Sequence, residues 1–425
     1  MKVTLPSNYG SRELELPDDW DVEVVSPRRV TIPPRMELIE SALDAPTGGS
    51  TLEGIVSAVL GERPGRTCVI CEDLTRYSPT DEILPLILNR LNNAGVPDKD
   101  IFVVMALGTH RPMTDAEIEA KVGSEAKKRV EVYNSEFRDK RGLVRIGSFG
   151  DHPLWLDRRV AEASVRIGVG SVVPNPVSGW SGGAKIMIPG VTGEETVRGF
   201  HLSSHEFQKN MFGQDMTSSR ELMESLVGEI GLDFVVNSVY TPEGEIYAVL
   251  CGDFVEAQRL AIIRAKEVYG SPARRRAGLV ISNAYPAETD LWQAGKAFHS
   301  GELVAEDGGE VVAVASCPEG IGPHKDLPDF YEWALKDREE LLRAAKSGAV
   351  DDVIGASSAL MRTRTIMSRV RLGIVSDRLD RRLMERMGIS VYESLEEVVE
   401  RHKAEVSAPL TVSVVTHGGS TFPVL

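Results

Sequence analysis

Apolar and polar residues follow one another along this chain in blocks that read as strands and helices in turn. Residues 68–71 are apolar without interruption, the pattern of a strand buried on both faces. Residues 81–93 carry Ile83, Leu84, Leu86, Ile87 and Leu91 at near-helical spacing, and Gly95-Val96-Pro97 stops that helix. Residues 101–107 form a second buried strand, so 66–110 read as one βαβ unit. Thr114-Asp115-Ala116-Glu117 then opens a helix with a capping-box pattern. Further strands are predicted over 143–146, 165–169 and 234–239. Residues 256–276 turn helical and then basic, ending in Arg274-Arg275-Arg276 ahead of Gly278, and read as a connector. A second unit follows, with strands over 279–283, 310–315 and 372–375 and helices over 327–346 and 395–401. The last run, 410–415 before Gly418-Gly419, is predicted as a strand that returns to the first unit. The expected architecture is α/β in two domains, 1–265 and 277–405, with 409–425 returning to the first. Each holds a mostly parallel sheet flanked by helices.

Length agrees with this division, because 425 residues exceed what one core usually serves. Hydrophobic residues at 42% and charged residues at 26% describe an ordinary globular protein. A net charge of −15 argues against a nucleic-acid surface, which needs a basic face, but leaves room for a local basic pocket. Four cysteines do not make a disulfide framework. Cys68 and Cys71 form a C-x-x-C, yet in a strand positions i and i+3 point to opposite faces, so both read as structural. The stretch from Met1 to Pro6 lacks the apolar core of a signal peptide, and no window holds the roughly 18 apolar residues that a membrane helix needs. With the cysteine usage, this fits a cytoplasmic protein with no membrane partner.

In an open α/β sheet, chemistry gathers beyond the carboxyl ends of strands. Two polar clusters fall there: Glu72-Asp73-Leu74-Thr75-Arg76 and Gly108-Thr109-His110-Arg111-Pro112. Asp73 and Arg76 read either as a surface ion pair or as an arginine fork for a carboxylate, with Asp73 orienting a neighbour. His110 ends a buried strand, and acid–base work near neutrality calls for such a group. A third cluster is Ser181-Gly182-Gly183-Ala184-Lys185, followed by Pro189-Gly190 and then by His201 sixteen residues after the lysine. Paired glycines let backbone approach a bulky group. A lysine behind them is an electrostatic anchor or, if desolvated, a covalent nucleophile, and histidine is a common metal ligand. The cluster points to an anchored anionic or metal cofactor. Gln293 and Lys296 share one helical face, which by itself reads as an exposed polar stripe. Residues 179–183 also match the G-x-S-x-G elbow of serine hydrolases. That elbow needs a strand directly before it, whereas Pro174-Asn175-Pro176 breaks any central strand.

Gly179-Trp180-Ser181-Gly182-Gly183-Ala184-Lys185, Pro189-Gly190, Glu195-Thr196 and His201 together resemble the nickel-dependent lactate racemase family, and the resemblance runs in order over nearly the whole chain. It implies a racemase or epimerase of a 2-hydroxy acid, working by transient hydride transfer to a nickel-pincer nucleotide. It implies that Lys185 carries this cofactor covalently in a loop with Ser181, Gly182 and Gly183, and that His201 ligates the nickel. Arg76 of the family's D-x-x-R would hold the substrate carboxylate. His110 of G-T-H-R-P would be a catalytic acid/base, with Asp73 beside it. Gln293 and Lys296 of Q-x-x-K would reach the substrate from the second domain, so the active site would lie in the interdomain cleft, with Trp292 shielding it from water. Maturation proteins are implied as partners, and protein made without them would lack the cofactor.

One position departs from the family. A Pro-His lies ten residues before the anchor lysine in the family, and here that place holds Asn175. The missing histidine is the second acid/base. Each face of the 2-keto acid intermediate needs its own proton acceptor, and asparagine can only hydrogen-bond. Either another group serves, with His152 and His205 the candidates, or the chemistry is one-sided, or the substrate differs. From another class altogether, the chain would be a non-catalytic binder of the cofactor or of a hydroxy acid.

Overall fold

A computed structural model describes residues 1–76, 78–203, 209–322, 335–347, 358–405 and 409–425. Two six-stranded sheets organise these residues. The first runs in the order Ile246–Gly252, Phe234–Tyr240, Val165–Ser171, Thr67–Glu72, Ile101–Ala106, Glu131–Asn134. Every pairing in it is parallel except the outermost, between Phe234–Tyr240 and Ile246–Gly252. All residues of Thr67–Glu72 are buried, which is why the strand reads as a continuous apolar run. Cys68 and Cys71 enter separate cores on its opposite faces, both as free thiols. Burial pushes the Cys71 thiol up to about 12, so no reactive thiolate forms there.

Helices cover both faces. Thr80–Asn93 buries Ile83, Leu84, Ile87, Leu88 and Leu91 against one face. Truncating one of these leucines to alanine should cost about 2–5 kcal/mol. Asp115–Val122 begins with the predicted capping box between Thr114 and Glu117. The opposite face carries helices Glu194–Ser203 and Ser218–Ile230 and the turn Gly183–Ile186. It also carries the antiparallel pair Leu143–Phe149 and His152–Asp157, so the strand predicted over 143–146 pairs locally and stays out of the main sheet.

The second sheet is wholly parallel, in the order Ile389–Tyr392, Arg371–Val375, Ala305–Val314, Ala277–Asn283, Thr411–Val415, Asp21–Val25. This corrects the expected division of the chain in two places. Residues 1–25 do not belong with 26–265: Asp21–Val25 edges the second sheet, and Lys2–Ser7 with Gly10–Glu15 packs on its face. Thr411–Val415, expected to return to the first unit, pairs instead with Ala277–Asn283. The extreme end does reach back, where Phe422–Val424 pairs with Gly270–Pro272 and the Phe422 ring lies 5.9 Å from that of Trp180. Hydrophobic pattern reveals that a strand exists. It does not reveal a parallel partner almost four hundred residues away, which no short turn specifies. The helical part of the expected connector, Glu256–Tyr269, packs into the first unit through Ala261, Ile262, Ala265 and Val268. Of the helix predicted over 327–346, only the end is described, as Arg338–Ser347; the rest lies outside the described residues.

In each sheet the strand order reverses once. The reversals fall between Thr67–Glu72 and Val165–Ser171, and between Ala277–Asn283 and Thr411–Val415. Crevices beyond the carboxyl ends of strands at such reversals are where open sheets bind ligands. No helix among the described residues is long and apolar enough to cross a membrane.

Candidate active site

At the first reversal, Glu72 joins the two diverging strands. Its carboxylate accepts from the Ser171 amide and hydroxyl, all at 2.9 Å. The chain then turns through Asp73, which is buried. Its Oδ1 accepts from the Thr75 amide at 3.0 Å and the Thr75 hydroxyl at 2.6 Å, and its Oδ2 lies 2.5 Å from His110 Nδ1. Burial alone would raise the Asp73 pKa. The His110 charge and hydrogen bond, the Thr75 hydroxyl and the Arg76 charge outweigh it and hold the carboxyl well below the ordinary range. The carboxylate is only 7% exposed, whereas the His110 side chain is 40% exposed, so the imidazole is the member of the pair that a ligand can reach.

Arg76 donates from Nη1 to the Thr75 carbonyl at 2.9 Å and to its hydroxyl at 3.1 Å. The loop is held from beneath by Lys121, buried on the helix that follows the His110 loop. Its ammonium donates to the Arg76 carbonyl at 2.8 Å and to the Ser78 carbonyl and hydroxyl at 3.0 Å each. One cation therefore ties together the loops that carry Asp73, Arg76 and His110. The other side of the His110 loop is fixed by the Gly108 amide, which donates to the Gly190 carbonyl at 2.8 Å.

The third cluster approaches from Val165–Ser171. Gly182 and Gly183 have φ of +77° and +58°. A side chain at Gly182 would meet Val172 and Asn237, and one at Gly183 would meet the Phe254 carbonyl and Gln258. Both glycines are thus demanded by the protein's own packing. The Ser181 hydroxyl donates to the Ser171 carbonyl at 2.7 Å and accepts from the Val173 amide at 2.9 Å, a structural role that leaves no hydrolytic nucleophile. Lys185 follows on the turn Gly183–Ile186, and its ammonium finds no hydrogen-bond partner among the described residues. Withdrawal from water, then the charges of Arg76 and Arg220, lower its pKa to about 7 against the pull of Asp73 and Glu72.

The second reversal supplies Leu291–Glu302, a helix capped by Asp290, whose Oδ1 accepts from the Gln293 amide at 2.8 Å. Lys296 donates to Gln293 Oε1 at 3.0 Å, and Trp292 is half-buried one position ahead of Gln293. Burial, then the Arg76 and Lys185 charges, bring Lys296 down to about 7 although Asp290 opposes. A residue of the second sheet thus shares an electrostatic environment with Arg76, Lys185 and Asp73 of the first.

His201, Asn175 and His152 each make contacts of their own. His201 lies on Glu194–Ser203 with Nδ1 against the Val197 carbonyl at 2.8 Å. That bond fixes the proton on Nδ1, so Nε2 carries the lone pair a metal would use. Asn175 is buried, and its Oδ1 is committed to a turn, accepting from the Val177 and Ser178 amides at 3.0 Å each and the Ser178 hydroxyl at 3.2 Å. His152 packs on Gly199 and, with ring centroids 5.7 Å apart, on Phe149; neither contact involves Asp73, His110 or Lys185. His205 lies outside the described residues. Sequence reasoning missed Lys121, Arg220 and the Glu72–Ser171 link, although Lys121 and Arg220 each occupy a buried stripe of an amphipathic helix.

Comparison with known proteins places these observations in a family. The lactate racemase N-terminal domain matches residues 8–212, and the lactate racemase C-terminal domain matches residues 273–422. The chain is 27% identical to the lactate racemase of Lactiplantibacillus plantarum over 391 residues, 90% of this chain and 89% of that one. It is 22% identical to the lactate racemase of Thermoanaerobacterium thermosaccharolyticum over 98% of each chain. The solved apoprotein of the Thermoanaerobacterium enzyme superposes with a TM-score of 0.87 at 20% identity over the full length of both. A protein from Thermotoga maritima of known structure superposes with a TM-score of 0.65 at 19% identity, covering 89% of this chain and 99% of that one.

Proposed function

The chain belongs to the lactate racemase family, and from that premise we propose that it is a racemase or epimerase of a 2-hydroxy acid. The observation that carries the reading is one group of side chains drawn from both sheets. The Asp73–His110 pair lies beside Arg76, and Arg76, Lys185 and Lys296 feel one another's charge.

The residues fit a tethered nickel-pincer nucleotide. Lys185 offers an amine that is largely uncharged near neutrality, as a covalent tether requires. His201 offers Nε2 to a metal. Ser181, Gly182 and Gly183 shape the loop that presents the lysine. When bound, such a group supplies a reversible hydride acceptor for C2 of the substrate.

The chain's own residues supply the rest. Arg76 and Lys296 grip the substrate carboxylate from opposite sides of the cleft that we infer between the two sheets, with Gln293 alongside. Trp292 keeps water out. His110 Nε2 takes the hydroxyl proton as C2 is oxidised and returns it on the way back. Asp73, accepting from Nδ1, fixes that tautomer and stabilises the imidazolium.

Asn175 favours a second reading within the same family. Its oxygen is engaged in a turn and its amide cannot carry a proton. Proton transfer on the second face then falls to another group, or the reaction runs on one face only.

Two measurements test the proposal. Intact mass of protein produced with the cofactor maturation enzymes should show an adduct that Lys185→Ala lacks; an equal adduct on the variant overturns the tether. Isomer-resolved assay of D- and L-2-hydroxy acids, lactate first, should show interconversion, and its absence from fully loaded protein leaves a binder.

A further inference from the structure

Arg220 takes no part in the chemistry above, yet it is completely buried. It lies on Ser218–Ile230, a helix capped by the Thr217 side chain. Its Nη1 donates to the Gly182 carbonyl at 3.0 Å and its Nη2 to the Trp180 carbonyl. The Glu224 carboxylate stands 3.9 Å from Nε, beyond a hydrogen bond, and that nitrogen has no acceptor among the described residues. Burial draws the guanidinium down to about 10, so it still carries its charge at neutral pH. Burying a charge is costly, and one carboxylate at 3.9 Å offsets that cost only in part. Here the charge secures the two carbonyls that flank Ser181. From Gly182, itself left-handed, the chain passes through left-handed Gly183 and one tight turn to Lys185.

We propose that Arg220 is the positioning residue of Lys185, fixing the chain just ahead of it and setting a permanent positive charge nearby, so that the amine is aimed and reactive before any cofactor arrives. This rests on the reading of Lys185 as the tether.

The groups that face Lys185 support it. Arg76 and Arg220 repel its proton, with Lys296 close by, while Asp73 and Glu72 attract it. Both carboxylates are already engaged, Asp73 by His110 and Thr75 and Glu72 by Ser171. Burial lowers the Lys185 pKa most, and the two arginines add to it against carboxylates that are already engaged. An ordinary lysine is uncharged in only about one molecule in a thousand near pH 7.5, whereas Lys185, with a pKa of about 7, is uncharged in about three in four.

The test uses the full-length apoprotein and trace acetic anhydride from about pH 6 to about pH 10. Nitrogen bonds the acetyl carbon, acetate leaves with the electron pair, and the amine proton passes to water. Peptide mass spectrometry reads acetylation of Lys185 against that of exposed Lys99. In the wild type, the Lys185 midpoint should lie near 7. Arg220→Met should raise it by about one unit and cut labelling at pH 7 several-fold, leaving Lys99 unchanged. A wild-type midpoint near 10, or superposable profiles for wild type and Arg220→Met, overturns the proposal. If circular dichroism shows that Arg220→Met does not fold, Arg220→Lys decides. It keeps the charge but loses the fork, so the midpoint should hold while the plateau rate falls; a wild-type plateau sinks the positioning role. Matured protein without an adduct would remove the tether and leave this titration untouched. A normal adduct with ordinary Lys185 reactivity would remove this proposal alone.

Discussion

Replacing Asp73 by asparagine should disable His110 through its tautomer while leaving shape nearly unchanged. In the native site, Asp73 Oδ2 accepts from His110 Nδ1 at 2.5 Å, so Nε2 is the nitrogen with a lone pair for the substrate proton. The Thr75 backbone amide, an obligate donor, points at Oδ1 from 3.0 Å. An asparagine must keep its oxygen there and turn its NH2 group toward His110. The imidazole then has to accept at Nδ1 and carry its proton on Nε2, where it can no longer act as a base. The native carboxylate is held ionised by the same contacts, so the variant also loses the charge that stabilises the imidazolium. A general base contributes about 10²–10⁴ in rate, or about 3–5 kcal/mol of barrier.

The assay is conversion of D- to L-lactate and the reverse, or of whichever 2-hydroxy acid the wild type prefers, by chiral chromatography. Variants are compared at equal cofactor loading as judged by intact mass. Nitrogen shifts of the His110 ring in labelled apoprotein should move the proton from Nδ1 to Nε2. Rates in both directions should fall by at least about a hundredfold, because no partner histidine stands at Asn175. A kcat within twofold of wild type, with the tautomer changed, would show that His110 is not the base.

Arg76→Ala should lower kcat/KM by about tenfold or more, and wild-type KM should rise with salt, as expected for cations gripping one anion; unchanged kinetics would place the substrate elsewhere. Lys296→Met should raise the melting temperature of the apoprotein, more at pH 6 than at pH 9. The folded pKa of Lys296 is lowered to about 7 from 10.5, so the wild type gains stability as pH rises from about 7 toward 10.5, and the cost that the variant removes is greatest below 7. An increase equal at both pH values would contradict this, as would a decrease. Asn175→His should confer or increase racemisation; slower racemisation than wild type would mean that another group already serves the second face.

The parts of this site that sequence pattern exposed are those on local chain signals. Asp73, Arg76 and His110 each follow a strand whose apolar run is unmistakable, and Lys185 follows glycines that the fold demands. What stayed hidden depends on distant pairing. Asp21–Val25 looks like any short strand until Thr411–Val415 is set beside it. The role of Asn175 was half visible: the residue shows that no proton can be carried there, but only the turn it closes shows that its oxygen is already in use.

Lys121 and Arg220 lie between these cases. Lys121 sits beside Val122 and three positions after Ile118, all buried. Arg220 precedes Met223 and Val227 on the buried stripe of its own helix. A cation where the period calls for an apolar side chain is a local signal, and the physics behind it is strict. Such a charge stays in place only if it meets carbonyls or carboxylates. Carbonyls left without partners inside a fold belong mainly to irregular loops, since helices and sheets satisfy their own. In an α/β protein the irregular loops over the carboxyl ends of strands carry the chemistry. A buried lysine or arginine on an amphipathic helix therefore points to a functional loop before that loop can be identified. Here both do so, Lys121 to Asp73–Ser78 and Arg220 to Trp180–Lys185.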